Sequence, residues 1–309
     1  MLCRRQSLER KTELLDNALR VGVDLGGTKV HSVVLSSSNE VLSKDVRLSG
    51  HGNLEVMTNL KASINEALSQ LGEPKASAAS IGIGTPGTVD TASGSVSFSL
   101  NLGIEQLELG QLLGQEFGCK VSVHNDVNAT AAGLSILNPA LHSLAYLNFG
   151  TGLAVGFVLE GQEVSGYSGL SGEIGHLPVG TSSEVCPCGQ RGCLELYTSW
   201  SGLKRHAPTF ETYAELVEAM EEGRADEIRE LFLANAIRAI TAVFLSLDPE
   251  RVFIGGGLIS GWPGAYQAIL NDWKKTSEAT ALFSSKNLAS RISLLPEDLP
   301  VAAIGALGE

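Results

Sequence analysis

Between positions 172 and 195 the chain reads Gly172-Glu173-Ile174-Gly175-His176, then Cys186-Pro187-Cys188-Gly189, then Gly192-Cys193-Leu194-Glu195. One histidine and three cysteines within eighteen residues are the ligand inventory of a closed zinc site, because thiolate and imidazole both suit a borderline-soft cation held tetrahedrally. With no open coordination position, such a zinc would shape a loop and perform no chemistry itself. The competing reading is a disulfide. Cys186 and Cys188 are separated by a single residue, which strains a bridge between them, and any pairing leaves one thiol over. Glu173 and Glu195, carried on a metal-stiffened frame, suit the holding of a polar ligand in one orientation.

A second set of residues has the types that phosphoryl transfer needs. Asp126 lies in His124-Asn125-Asp126-Val127-Asn128, directly after a short apolar strand pattern. A carboxylate there can accept the proton of a substrate hydroxyl as the phosphoryl group is transferred; the ordinary alternative is a helix N-cap, which Asp often fills. Asp24 adjoins Gly26-Gly27-Thr28-Lys29 and would hold Mg²⁺ directly or through water, its ordinary alternative being a strand-end aspartate. Thr28 and Lys29 can donate to phosphate oxygens, as can Thr151 further on. Asn101, Asn125, Glu173, His176 and Glu195 offer the mixed donors and acceptors that recognise sugar hydroxyls, although any one of them alone is more often structural.

The elements that must position these groups are read from periodicity. Arg20 to Leu35 reads as a strand, a Gly26-Gly27 turn and a second strand; the residues after the glycines are β-branched and alternating, which excludes the strand-turn-helix of a dinucleotide site. No Gly-Lys dipeptide exists anywhere, which removes the P-loop. The pattern returns at Ala145-Tyr146-Leu147-Asn148-Phe149-Gly150-Thr151-Gly152, and the strands after the two turns end correspondingly at Leu35 and Leu159. Two such units predict a duplicated α/β domain with one phosphate-facing glycine hairpin from each half. Between them, Leu54 to Leu71 has helical spacing on Leu54, Met57, Leu60, Ile64, Leu68 and Leu71 and stops at Gly72 and Pro74. Ile81 to Gly87 is a strand entering a turn, Leu107 to Phe117 a helix, and Lys120 to Val123 a strand that delivers Asp126 at its C-terminal end, the edge where α/β folds bind ligands. Glu227 to Leu247 is the longest predicted helix, with Ile228, Leu231, Phe232, Ile237, Ile240, Phe244 and Leu247 inward. Arg251 to Ile254 runs into Gly255-Gly256-Gly257, where bare backbone borders a flat ring such as adenine or makes a plain strand-to-helix turn. Pro300 to Leu307 reads as a small-residue helix returning to the first domain.

Composition excludes other classes. The 309 residues are 43 % hydrophobic and 18 % charged, with 35 glycines, as in a soluble globular protein with many tight turns. A net charge of −12 disfavours nucleic acid as a partner, since neutralising phosphates needs clustered Lys and Arg. Five cysteines without a disulfide framework point to a reducing compartment, so the expected location is cytoplasmic. Residues 1–20 carry five basic side chains and no continuous apolar core, so they are expected to be a partly helical lead-in and not a signal peptide. Val127 to Leu159 lacks any Asp, Glu, Lys or Arg, but Asn138-Pro139, His142, Asn148 and Gly150-Thr151-Gly152 interrupt it, so it reads as helix, loop and two strands and not as a membrane span.

Taken together, Val23-Asp24-Leu25-Gly26-Gly27-Thr28-Lys29, Asn125-Asp126-Val127-Asn128-Ala129, Gly172-Glu173-Ile174-Gly175-His176 and Cys186-Pro187-Cys188-Gly189-Gln190-Arg191-Gly192-Cys193-Leu194-Glu195 resemble the ROK family of bacterial sugar kinases and kinase-derived repressors, over roughly residues 20 to 308. The resemblance implies an actin-like ATPase (ribonuclease H-like) fold of two lobes around a cleft: residues 21–123 with 296–309 as the small lobe and 124–295 as the large one. It implies transfer of the ATP γ-phosphoryl group to a hexose or N-acetylhexosamine such as glucose, N-acetylglucosamine or N-acetylmannosamine, usually at the 6-hydroxyl. By motif match Asp126 falls on the catalytic base, and Asn101, Asn125, Glu173, His176 and Glu195 fall on sugar contacts. His176, Cys186, Cys188 and Cys193 fall on zinc ligands, so that His176 would serve metal and sugar through its two ring nitrogens. Asp24, Gly26, Gly27, Thr28 and Lys29, with Gly150, Thr151, Gly152 and Gly255 to Gly257, are expected to hold ATP and Mg²⁺. A homodimer or homotetramer is implied as well. The chain departs from the family at Leu153-Ala154-Val155, where further glycine is usual, and at Gly133-Leu134, where Gly-Glu is common. The alternative within the family is a non-catalytic sugar sensor, but a repressor is expected to carry a winged helix-turn-helix of roughly sixty residues ahead of this part, against about twenty here. Some relatives accept polyphosphate in place of ATP.

Overall fold

A computed structural model describes residues 19–72, 78–179, 183–296 and 299–308. The lead-in up to residue 18 and the helix stop at Pro74 lie outside the described residues. The chain divides into two units, residues 1–137 with 297–309 and residues 138–296.

The first unit is built on a sheet in the order β3-β2-β1-β4-β8. Its strands are β1 (Arg20–Leu25), β2 (Lys29–Leu35), β3 (Val41–Leu48), β4 (Ser80–Thr85) and, after three short strands, β8 (Lys120–Asn125). β1, β2 and β3 form an antiparallel meander, whereas β4 and β8 run parallel to β1. The parallel strands need crossovers: α1 (Asn53–Ser69) joins β3 to β4, and α2 (Leu109–Phe117) leads into β8. A separate antiparallel sheet, β5 (Thr88–Asp90), β6 (Ser95–Ser99) and β7 (Ile104–Leu107), fills the connection between β4 and α2. α3 (Asp126–Leu137) begins directly where β8 ends, with no loop between.

The second unit repeats the plan. β9 (Ser143–Phe149), β10 (Leu153–Leu159), β11 (Gln162–Glu163), β12 (Arg251–Gly255) and β13 (Ile292–Leu294) lie in the order β11-β10-β9-β12-β13, again with two antiparallel and two parallel pairings. The long excursion between β11 and β12 holds the cysteine stretch, then α4 (Glu195–Thr198), α5 (Trp200–His206), α6 (Tyr213–Glu221) and α7 (Asp226–Leu247); α8 (Gly257–Gly261) and α9 (Ala265–Ala279) come after β12. α7 is long and apolar enough to span a membrane by length and composition, yet Phe232, Leu233, Ala236, Ile240, Val243 and Phe244 are buried in this unit's core, the packing of a core helix.

The last helix, α10 (Val301–Ala306), belongs to the first unit, in keeping with its small residues. Backbone touches backbone there: a Cβ on Gly22 or Gly82 would stand 2.1 Å from the carbonyl oxygens of Ala303 and Ala306, and one on Gly305 would strike that of Ala129. This contact moves the division between units. The expected boundary after Val123 assigns α3 to the second lobe, but α3 packs along α10, with Gly133 against the Val301 carbonyl, so the first unit extends to Leu137. A second correction concerns α1. Its inward face is Val56, Leu60, Ser63, Ile64, Ala67 and Leu68, while Leu54, a core position by periodicity, is 84 % exposed.

Candidate functional site

In the first unit the glycine turn between β1 and β2 is held by a hydrogen bond from the Gly26 N–H to the Lys29 carbonyl, and Ser49 Oγ donates to the Gly26 carbonyl. Thr28 and Lys29 are exposed on it. Asn101 is brought to this turn: its Cβ lies 2.8 Å from where a Cβ on Gly27 would stand, so only glycine admits it.

Asp24 occupies the register position of β1 opposite Gly84 of β4, and Gly84 pairs onward with His124 of β8. Because Gly84 has no side chain, the first turn of α3 comes down onto the strands, with the Asp126 Cα 3.6 Å from the virtual Cβ. Two carboxylates therefore share one strand edge. Burial, reinforced by the negative charge of Asp126, pushes the Asp24 carboxyl up from 3.8 to about 6. The capping of α3 falls to Asn125, whose Oδ1 accepts the N–H groups of Val127 (2.9 Å) and Asn128 (3.3 Å). Asp126 stands one position later, as the first helical residue, and its Oδ1 accepts the N–H of its neighbour Val127 at 3.0 Å. Asn125 Nδ2 donates to the Gly87 carbonyl at 3.4 Å, which ties the cap to the turn after β4.

In the second unit the turn between β9 and β10 closes with the Gly150 N–H on the Gly152 carbonyl, the counterpart of the Gly26 bond. Gly256, at φ +96°, rests on this turn, since a Cβ there would meet Asn148 Oδ1 and the Phe149 carbonyl. Gly255 to Gly257 form the link from β12 into α8, and the space beside Gly257 is open.

The cysteine stretch folds as a clasp. Residues 177–179 pair with 192–194, through the Val179 N–H on the Gly192 carbonyl and the Leu194 N–H on the Leu177 carbonyl. The clasp brings His176, Cys186, Cys188 and Cys193 together, with all four ligand atoms within 4.8 Å of one another. His176 Nδ1 is 3.7 Å from Cys186 Sγ, and Cys188 Sγ is 3.7 Å from Cys193 Sγ. Four ligands at zinc bond lengths of about 2.0–2.3 Å sit about 3.3–3.8 Å from one another, so the donor set fits a tetrahedral zinc ion. The thiols alone are poor ligands: burial pushes Cys186 up and Cys193 up to about 12, whereas the backbone N–H of Gln190 holds Cys188 at about 7. The other ring nitrogen of His176, Nε2, lies 4.0 Å from Glu173 Oε2. Partial burial raises the Glu173 carboxyl; His176 opposes that rise and Glu195 adds to it, so the two carboxylates and the imidazole form one polar cluster.

One part of the arrangement had no sequence signal. Glu195 Oε2 accepts the Leu153 N–H at 3.0 Å, directly after the glycine turn. Neither the Glu195 motif nor the turn points to the other across forty-two positions.

The chain belongs to the ROK family, whose model matches residues 20–280. It is 28 % identical over an alignment of 313 positions to a glucokinase of Halalkalibacterium halodurans, covering 93 % of this chain and 94 % of that protein. With a glucokinase of Thermotoga maritima it shares 31 % over 264 residues, 77 % of this chain and 81 % of that one. A xylose repressor of Bacillus subtilis is also similar, 23 % identical over 90 % of this chain and 73 % of the repressor. Among solved structures, the ROK hexokinase of Thermus thermophilus superposes with a TM-score of 0.77 at 25 % identity, covering 94 % of this chain and 96 % of that one. The fold is accordingly the actin-like ATPase fold that sugar kinases of this family have.

Proposed function

We propose that the protein is an ATP-dependent sugar kinase that transfers the γ-phosphoryl group to a hydroxyl, by preference the 6-hydroxyl, of a hexose or N-acetylhexosamine. The observation that carries this reading is the Asp24 and Asp126 pair on one strand edge beside the Gly26-Gly27 turn, with Asn125 capping α3. A binding protein gains nothing from two carboxylates that destabilise each other. A phosphotransferase uses one to take a proton and the other to hold a cation.

In this reading Asp126 accepts the proton of the attacking sugar hydroxyl, and Asn101 and Asn125 orient the sugar. Glu173, His176 and Glu195 are assigned to sugar hydroxyls by the family motif. The N–H groups of the two glycine turns, with Thr28, Lys29 and Thr151, bind phosphate oxygens. Asp24 would hold Mg²⁺, which when bound supplies charge neutralisation for the phosphates. The Cys₃His set would hold a structural zinc that fixes the orientation of His176 beside the polar cluster. Glucokinase and N-acetylmannosamine kinase relatives support the sugar class.

The test is a panel of hexoses and N-acetylhexosamines with Mg·ATP, read by ADP release, with a parallel arm containing polyphosphate. Sugar-dependent turnover is expected. Saturable sugar binding without turnover on either donor would instead place the chain with the sensor branch, which the repressor relatives represent.

A further inference from the structure

We propose that the zinc clasp positions the second phosphate turn as well as the sugar, with Glu195 and Ser201 as the positioning residues that transmit its hold. The proposal deepens the kinase reading and rests on it for the identity of the turn's ligand.

The connection can be traced bond by bond within the second unit. Cys193 is fully buried in the clasp, and the next residue but one, Glu195, accepts the Leu153 N–H. Its Oε2 also lies 2.7 Å from where a Cβ on Gly152 would be, so the carboxylate and the turn are in contact. Two bonds then arrive from the start of α5: the Trp200 N–H donates to the Gly150 carbonyl at 3.0 Å, and Ser201 Oγ donates to the Thr151 carbonyl at 2.8 Å. Ser199 Oγ, 3.0 Å from Ser201 Oγ and 2.8 Å from the Glu195 carbonyl, joins the two grips. The other arm of the clasp presses on the same strand. A Cβ on Gly175 would stand 2.3 Å from the Leu153 carbonyl, and the Val155 N–H donates to the Gly172 carbonyl.

The direction of these bonds gives them a function. A trans peptide unit points its carbonyl and its N–H to opposite sides. Tying the Gly150 and Thr151 carbonyls to α5 therefore aims the N–H groups of Thr151 and Gly152 away from it, as donors to a phosphate oxygen. A turn that depends on residues beginning two positions after a zinc ligand loses that aim when the ligand set opens.

Two measurements test this. The first is hydrogen–deuterium exchange of peptides spanning residues 149–155 in metal-free protein, before and after one equivalent of Zn²⁺. The second is calorimetric binding of a non-hydrolysable Mg·ATP analogue to zinc-loaded wild type, Ser201→Ala and Ser201→Thr. Zinc is expected to slow exchange in the turn. Ser201→Ala should weaken nucleotide binding about 2- to 10-fold, the worth of one hydrogen bond, with sugar affinity unchanged and Ser201→Thr restoring it. Zinc uptake with unchanged exchange at 149–155, or wild-type nucleotide affinity in Ser201→Ala, overturns the proposal. If metal removal loosens the whole unit, exchange rises in α7 too, and the serine variants decide. A wild type that binds sugar but no nucleotide refutes the kinase reading, and the exchange experiment then decides the coupling alone.

Discussion

Replacing Asp24 by asparagine should stabilise the protein while disabling it. The carboxyl sits at about 6 in the folded chain against an ordinary 3.8, through burial first and the charge of Asp126 second. Ionising a group displaced that far costs about 3 kcal/mol; allowing for its partial exposure, we take about 2 kcal/mol. Since the folded value lies above the unfolded one, the stabilising contribution is complete below about pH 4 and lost as pH rises through 6. Asparagine has the same shape and no charge to bury. Asp24→Asn should therefore exceed wild type by about 2 kcal/mol at pH 8, a shift in melting temperature of about 4–8 °C, with the gap closing towards pH 4. The assay is urea or thermal denaturation at pH 4.5, 6 and 8, beside turnover with Mg·ATP. Asp126→Asn, which removes only the lesser cause, should stabilise by a smaller amount. A variant no more stable than wild type at pH 8, or one whose advantage does not change with pH, would refute the claim that the two carboxylates are held together at a cost.

Asp126→Asn should also keep sugar and nucleotide affinity and lose turnover by about 10²–10⁴-fold, the contribution of a general base, which a coupled assay and calorimetry on one preparation would check. Zinc uptake should release protons, because the buried thiols of Cys186 and Cys193 titrate well above neutrality; apparent zinc affinity, measured by competition with a colorimetric chelator, should fall as the pH is lowered from 8 to 6. Chelating the zinc should weaken sugar binding through Glu173, His176 and Glu195, and an unchanged sugar Kd in metal-free protein would count against the clasp as a frame. Gly82→Ala should destabilise by about 1–3 kcal/mol or more, since its methyl would meet the Ala306 carbonyl at 2.1 Å and neither backbone can retreat without moving α10 off the sheet; denaturation midpoints measure it.

The features legible in the sequence were those that depend on local pattern. Both glycine hairpins stand out because a β-branched strand comes after each turn, and β2 and β10 end at Leu35 and Leu159 as their patterns predict. The clustering of His176, Cys186, Cys188 and Cys193 was legible because their types are rare in combination. The small sheet β5-β6-β7 was not, since its strands of three to five residues are too short for a period to register. The face of α1 departs from its pattern at Leu54, an apolar residue in the first turn that lies off the helix's own buried stripe. The unit boundary departs from expectation because it is set by α10, which returns from the far end of the chain and draws α3 with it. The link from Glu195 to Leu153 failed to register for the same reason: a side chain accepting a backbone N–H forty-two positions away leaves no local mark.

The two hairpins share a plan and have divided its uses. Asp24 pairs in register with Gly84 of its parallel neighbour, and Asn148 pairs likewise with Gly255. At the first position the side chain is a carboxylate that shares its strand edge with Asp126 and is raised by burial and by that charge to about 6. At the second it is an amide used internally, accepting the Tyr146 hydroxyl at 3.2 Å and bearing on Gly256. A carboxylate at 148 would carry its charge against the carbonyl of Phe149. The same register position thus serves two ends: a carboxylate beside the start of α3 in one unit, and an amide bonded within its own sheet in the other.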